Sequence, residues 1–164
     1  MNKLACCFTG HRLISARDTI PLHELLLHEL DGLIQEGCRD FYAGGALGFD
    51  TLAAQAVLEK RAENPALRLH LILPCQNQHA RWNPCQRDVY ERILEQADSA
   101  EHIAEQYAPQ NMHIRNRRLV DASGVCLCYL RQYNSGTGGT VAYARRRKLR
   151  IRNLALLLTQ PEDF

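Results

Sequence analysis

Apolar positions along the chain follow two alternating patterns. Short runs rich in Leu, Ile, Val, Cys and aromatic residues occupy 4–9, 40–43, 67–73, 99–103, 125–130 and 151–157. Runs of that length and composition predict buried β-strands. Between them the spacing shifts to the helical period. Leu22, Leu26, Leu30 and Leu33 form a stripe entered through Pro21 and closed at Gly37, the usual punctuation of a helix. Residues 51–61 are Ala-rich. Val89, Ile93 and Ala97 make another stripe with Tyr90 and Leu94 beside it, and 110–123 and 141–149 complete the helical set.

Strand–helix alternation implies parallel pairing through right-handed crossovers. Strands apolar throughout fit a sheet covered on both faces. The expectation is therefore an α/β fold, a three-layer Rossmann-like sandwich with a mostly parallel sheet of about six strands. No repeat or Gly/Ser linker interrupts the 164 residues, so a single domain over 1–164 is expected.

Composition narrows the class. The chain is 46% apolar and 23% charged with net charge +2, unlike a general polyanion-coating domain of high pI. The basic residues are 17 Arg against 3 Lys. Arg forks suit phosphate and carboxylate, although biased codon usage gives the same count, so position has to decide. Uninterrupted apolar stretches such as Leu154 to Leu158 are far short of the roughly 20 residues that span a bilayer, and the N-terminal residues lack the apolar region of a secretory signal. Seven cysteines, an odd number with no C-x-x-C pair, read as buried reduced thiols of a cytoplasmic protein instead of a disulfide framework or zinc site. No metal and no required cofactor are expected.

In parallel α/β sheets ligands bind beyond the carboxyl ends of the strands, so the loops after each strand carry the candidate chemistry. The first is Thr9-Gly10-His11-Arg12. The second, Gly44-Gly45-Ala46-Leu47-Gly48-Phe49-Asp50, leads into a helix and offers converging backbone N–H groups to an anion. Its spacing matches neither the dinucleotide fingerprint nor the P-loop. Asp50 is either the N-cap of that helix or a carboxylate for ribose hydroxyls. The third loop holds Arg81 and Trp82, the one Trp of the chain. That Trp either stacks on a base or packs on the protein body or a second subunit. In the helix near Gln110, Asn116 shares an apolar face with Met112 and Val120 and needs a polar partner; Arg115 is its neighbour, and Arg117 and Arg118 read as solvated or paired. The fifth loop, Asn134-Ser135-Gly136-Thr137-Gly138-Gly139-Thr140, precedes a helix expected from Val141. Three glycines and three hydroxyls there make an anion cradle of backbone and hydroxyl donors. The block Arg145 to Arg152 reads as a solvated face remote from the cradle.

Together these loops, with Met112 to Asp121 and Gly138-Gly139-Thr140, resemble the YpsA-like branch of the SLOG superfamily over nearly the whole chain. That superfamily groups the DNA-processing protein DprA, the LOG phosphoribohydrolases and assorted nucleotide sensors. The resemblance implies a Rossmann-like domain that binds a nucleotide or nucleotide-derived ligand such as ADP-ribose or an NAD-related compound. Gly10, Arg12, Gly44, Gly45 and Asp50 would line the ribose and base side, and Arg115, Asn116, Gly138, Gly139 and Thr140 would hold phosphate; His11, Gly48, Arg81, Trp82, Gly136 and Thr137 complete the candidate set. A homodimer is a family-level expectation. LOG hydrolases place a Glu shortly after G-G-x-G-T. Here Val141, Ala142, Tyr143 and Ala144 follow Thr140, leaving Asp50 as the carboxylate that could replace it. The first reading is a ligand-binding sensor or regulatory domain. The alternative is cleavage of a nucleotide's N-glycosidic bond with Asp50 as catalytic residue. Third comes DprA-like binding of single-stranded DNA, which needs a basic groove with stacking aromatics; nucleic acid and membrane are not the expected partners.

Overall fold

The computed structural model describes residues 4–158. Six strands and six helices alternate along it: β1 (Cys6–Gly10), α1 (Ala16–Gln35), β2 (Asp40–Ala43), α2 (Phe49–Glu63), β3 (Arg68–Cys75), α3 (Pro84–Gln96), β4 (Ser99–Ala104), α4 (Pro109–Asp121), β5 (Val125–Tyr129), α5 (Gly136–Arg146), β6 (Arg150–Asn153) and α6 (Leu154–Leu157). The strands form one sheet in the order β4-β3-β2-β1-β5-β6, and every neighbouring pair is parallel. Strand order thus runs outward from β1 in both directions. A crevice must open between the carboxyl ends of β1 and β5, where α1 and α5 leave on opposite faces.

Alternation along the strands divides the core in two. Cys6 and Phe8 of β1 and Leu127 and Tyr129 of β5 face a core shared with α1, α2, α3 and α6, while Cys7, Cys126 and Cys128 face one shared with α4 and α5. Leu22, Leu26, Leu30 and Leu33 of α1 are all buried, as their stripe predicts. Each fully buried Leu contributes roughly 1.5–3 kcal/mol. Six cysteines are buried and unpaired; Cys85, near the start of α3, is exposed. Among the described residues no helix is long and apolar enough to cross a membrane.

Three boundaries differ from the sequence pattern. Helix α1 begins at Ala16, five residues before Pro21. Proline lacks the N–H that would bond Arg17, but burial of the Leu stripe holds the helix through it. The final apolar run, expected as a strand over 151–157, splits into β6 and a short helix at Leu154. Asn153 makes the break. Its side-chain oxygen accepts from the Ala155 and Leu130 N–H groups, and its amide donates to the Leu130 carbonyl. The third correction is functional: α5 starts at Gly136, so the Gly/hydroxyl segment is the first turn of that helix.

Candidate functional site

The crevice between β1 and β5 is closed by the His11 ring. Its Nε2 accepts from the backbone N–H groups of Arg131 at 2.9 Å and Gln132 at 3.1 Å, which requires the neutral ring with its proton on Nδ1. Partial burial, and then the nearby Arg131 charge, push the His11 pKa down. Beneath it, the Tyr129 hydroxyl donates to Asp18 at 2.6 Å, and Arg131 donates to the same carboxylate oxygen at 2.7 Å. The Tyr129 bond, followed by Arg131, holds the Asp18 pKa below its ordinary value. His11 and Arg131 thus tie the two switch-point loops together. His11 contributes by positioning these loops.

The first turn of α5 and the facing side of α4 form a cleft of about 390 Å³. From α4 come His113, Asn116 and Arg117; from α5 and its entry come Asn134, Ser135, Gly136, Gly139, Thr140, Tyr143 and Arg146. Among the described residues no carboxylate lines it. Arg117 and Arg146 both lie over the Tyr143 ring, at 5.3 and 5.8 Å from its centroid. The α5 entry is capped by Ser135, whose hydroxyl oxygen accepts from Gly138 N–H at 3.1 Å. A Cβ on Gly136 or Gly139 would meet no atom within 4 Å, so the backbone there is open to an approaching group. The N–H groups of Gly136 and Thr137 have no partner among the described residues, as the first turn of any helix leaves them. The expected hydroxyl donors need correcting. Ser135 donates its hydrogen to the Gln132 carbonyl at 2.6 Å and Thr140 donates to the Gly136 carbonyl at 3.0 Å. The donors that this turn leaves open toward the cleft are backbone N–H groups.

Behind the cleft lies a buried pair. Asp50 and Arg115 are 5% and 4% exposed and flank Gly44: a Cβ there would sit 2.6 Å from Arg115 Nη1 and 2.9 Å from Asp50 Oδ2. Only glycine lets the two groups approach the backbone this closely. Arg115 donates to the Gly44 carbonyl through Nη1 and, through Nε, to Asn116 Oδ1 at 2.7 Å. Asp50 Oδ2 accepts from Ala46 N–H at 3.2 Å. Burial pushes the Asp50 carboxyl up, against the opposing pull of Arg115, the Ala46 N–H and Arg12. Asp50 is not the N-cap of α2. That place belongs to Gly48, at φ +78°, where a side chain would also strike the backbone of Arg12.

The expected face of α4 is also corrected. Arg115, with Asn111, Leu119 and Val120, is buried, whereas Asn116 is half-buried and reaches the cleft. The guanidinium turns inward because Gly44 and Asn116 offer it acceptors. Of the candidate residues, the cleft gathers Asn116, Gly136, Gly139 and Thr140. Thr137 is buried and Gly138 packs on the Tyr133 carbonyl. Gly10 lies against the Phe49 ring and Gly45 against Leu73, Gln78 and Tyr90. Arg12 is exposed but near enough to act on Asp50 and Arg115. Arg81 is exposed, and Trp82 packs edge-on against Tyr90 at 5.3 Å; neither lines the cleft. The sequence reading missed His113, Arg117, Tyr143 and Arg146. The 113/117 and 139/143/146 spacings mark single helix faces and could have revealed them. Arg118 pairs with Glu101, and Arg150 and Arg152 with Glu36 and Glu29.

The YpsA model, described as the YspA SLOG family, matches residues 15–159. The chain belongs to the YpsA SLOG family. A UPF0398 protein of Bacillus thuringiensis (strain Al Hakam) is 26% identical over 134 residues, 80% of this chain and 73% of that protein. One from Bacillus pumilus is 34% identical over 98 residues, 58% of this chain and 53% of that protein. Among solved structures, DNA processing protein A from Helicobacter pylori aligns with TM-score 0.67 at 18% identity over 91% of this chain. DprA from Streptococcus pneumoniae aligns with TM-score 0.65 at 15% identity, again over 91%. This chain spans 64% and 50% of those two chains. At such identities the likeness is one of fold.

Proposed function

We propose that the protein binds a nucleotide or nucleotide-derived ligand, a nucleoside phosphate, ADP-ribose or an NAD-related compound, as a sensor or regulatory domain. The observation that carries this reading is the cleft on α4 and α5. Three basic side chains and an open helix N-terminus converge there with no carboxylate among the lining residues. Backbone N–H groups at a helix N-terminus attract a phosphate through both hydrogen bonding and the helix dipole. The site works without a required cofactor, and family resemblance suggests a homodimer in a cytoplasmic setting. Asp50 does not line this cleft, so the reading is of binding. Cleavage of an N-glycosidic bond would need Asp50 to be uncovered. Calorimetric titration with AMP and ADP-ribose, against adenosine as the phosphate-free control, tests the proposal. Saturable binding of a phosphorylated compound supports it, and indifference to the phosphate opposes it.

A second reading is binding of single-stranded DNA. DNA processing protein A from Helicobacter pylori binds single-stranded DNA, and the Arg117–Tyr143–Arg146 stack offers the cation and aromatic such binding uses. Salt-sensitive binding to an oligonucleotide that mononucleotides do not compete away would favour it.

A further inference from the structure

At the amino ends of the strands, the sheet edge opposite the cleft, three side chains form a relay with no part in the nucleotide reading. Asp40 opens β2, Ser99 opens β4, and His70 lies between them on β3. Register sets them side by side: Tyr42 is opposite His70, His70 opposite Ser99, and Asp40 opposite Arg68. Ser99 Oγ lies 2.6 Å from His70 Nδ1, and His70 Nε2 lies 2.8 Å from Asp40 Oδ1.

The direction of the relay follows from charge. Arg68 grips Asp40 through two bonds, Nε at 2.7 Å and Nη2 at 3.0 Å, and together with His70 holds its pKa down at about 2. The ionised carboxylate only accepts, so His70 Nε2 carries the ring proton. In the neutral ring Nδ1 is then an acceptor, and the proton shared with Ser99 is the hydroxyl's own. Tyr42 stacks on the imidazole, centroids 4.7 Å apart and 27° from parallel, fixing its plane. Nucleophile, base and orienting carboxylate are thus within hydrogen-bond reach in the correct order. The ring nitrogens exchange the places they hold in the serine-protease arrangement, leaving the proton path unchanged. Ser99 is exposed. It lies on an edge strand, whose alternate backbone N–H groups face open space and can hydrogen-bond an oxyanion.

We propose that Ser99 is an activated nucleophile, with His70 as its base and Asp40 orienting the ring, and that it takes acyl groups from small, sterically open carboxylic esters. The Ser99 Oγ–carbonyl carbon bond forms as its proton passes to His70. The ester's C–O bond breaks, and the alkoxide leaves as the alcohol with that proton. Water, deprotonated by the same ring, then hydrolyses the acyl-serine to release the carboxylic acid.

An alkyl fluorophosphonate tests this with the intact chain. The Ser99 Oγ–P bond would form as P–F breaks, and the adduct is located by peptide mass spectrometry. The expected result is one adduct per chain on Ser99, none on heat-unfolded protein or Ser99→Ala, and labelling at least tenfold slower in His70→Gln. Both variants should keep the wild-type Tm within a few degrees and the wild-type nucleotide response, since neither residue touches the cleft. Absence of an adduct, an adduct on another serine, or equal labelling of His70→Gln would overturn it. Hydrolysis of p-nitrophenyl acetate by the wild type, lost in Ser99→Ala, would extend the result to esters.

Discussion

Asn116 shows how one side chain serves two masters. Its Oδ1 accepts from Arg115 Nε, which leaves the amide nitrogen as the donor available to the cleft it lines. Asn116→Asp keeps the acceptor for Arg115 but replaces the donor with a negative charge that repels a phosphate. Hydrogen bonds involving charged groups are worth about 1.5–3 kcal/mol, so phosphate-ligand affinity should fall at least tenfold while Tm holds. Calorimetry and a thermal melt read the two quantities separately. Much of this was legible in the sequence: Asn116 and Arg115 stood out, as did Gly44 and Asp50. Helical periodicity mis-set which of the first two is buried. An arginine faces a core only when specific acceptors lie there, and the Gly44 carbonyl, 71 residues away, is not a local feature of the chain.

At the scale of the element, α5 decides the site. Its glycines suggested a loop before the helix, because glycine is a poor helix former. The helix instead begins at Gly136, since Ser135 supplies the cap that favours starting there. Replacing an N-cap serine by alanine costs about 0.5–2 kcal/mol. Ser135→Ala should therefore lower Tm by a few degrees in a domain of this size, and should weaken ligand binding further by fraying the turn that presents the Gly136 and Thr137 N–H groups. An unchanged melt would mean the cap does not hold α5. The remaining strands and helices were readable because apolar runs and stripes are local signals. The exception is β6, because the sequence does not show that the Asn153 side chain bonds Leu130 and Ala155 and so ends the strand there.

For the molecule as a whole, the open question was where the strand order reverses, since no local pattern reveals sheet order. The reversal at β1 puts the first and fifth loops together, and His11 joins them in its neutral form. Its folded pKa is lowered, so the unfolded chain binds the extra proton first as pH falls. The contribution of His11 to stability is therefore complete above the ordinary value of 6.5 and is lost as pH drops through the lower folded value. Melts at pH 7.5 and pH 5 should differ less in His11→Gln, whose side-chain carbonyl accepts at either pH, than in the wild type. Equal differences would remove His11 from the closure of the crevice. The arginine excess is resolved at this scale too. Among the described residues eight arginines spend their charge on carboxylates around the surface, while Arg117 and Arg146 border the cleft.

The most direct test of the binding claim is a thermal-shift panel of AMP, ADP-ribose, NAD, cyclic dinucleotides and phosphoribosyl compounds, run on the wild type and on Gly139→Val. A ligand at 100 times its Kd adds about 2.7 kcal/mol, which is several degrees of Tm for a domain of this size. A valine at 139 projects into the open space of the cleft without meeting another residue at its Cβ. At least one nucleotide should raise the wild-type Tm by that amount and leave the variant's unmoved. A flat panel, or an equal rise in both proteins, would contradict the account.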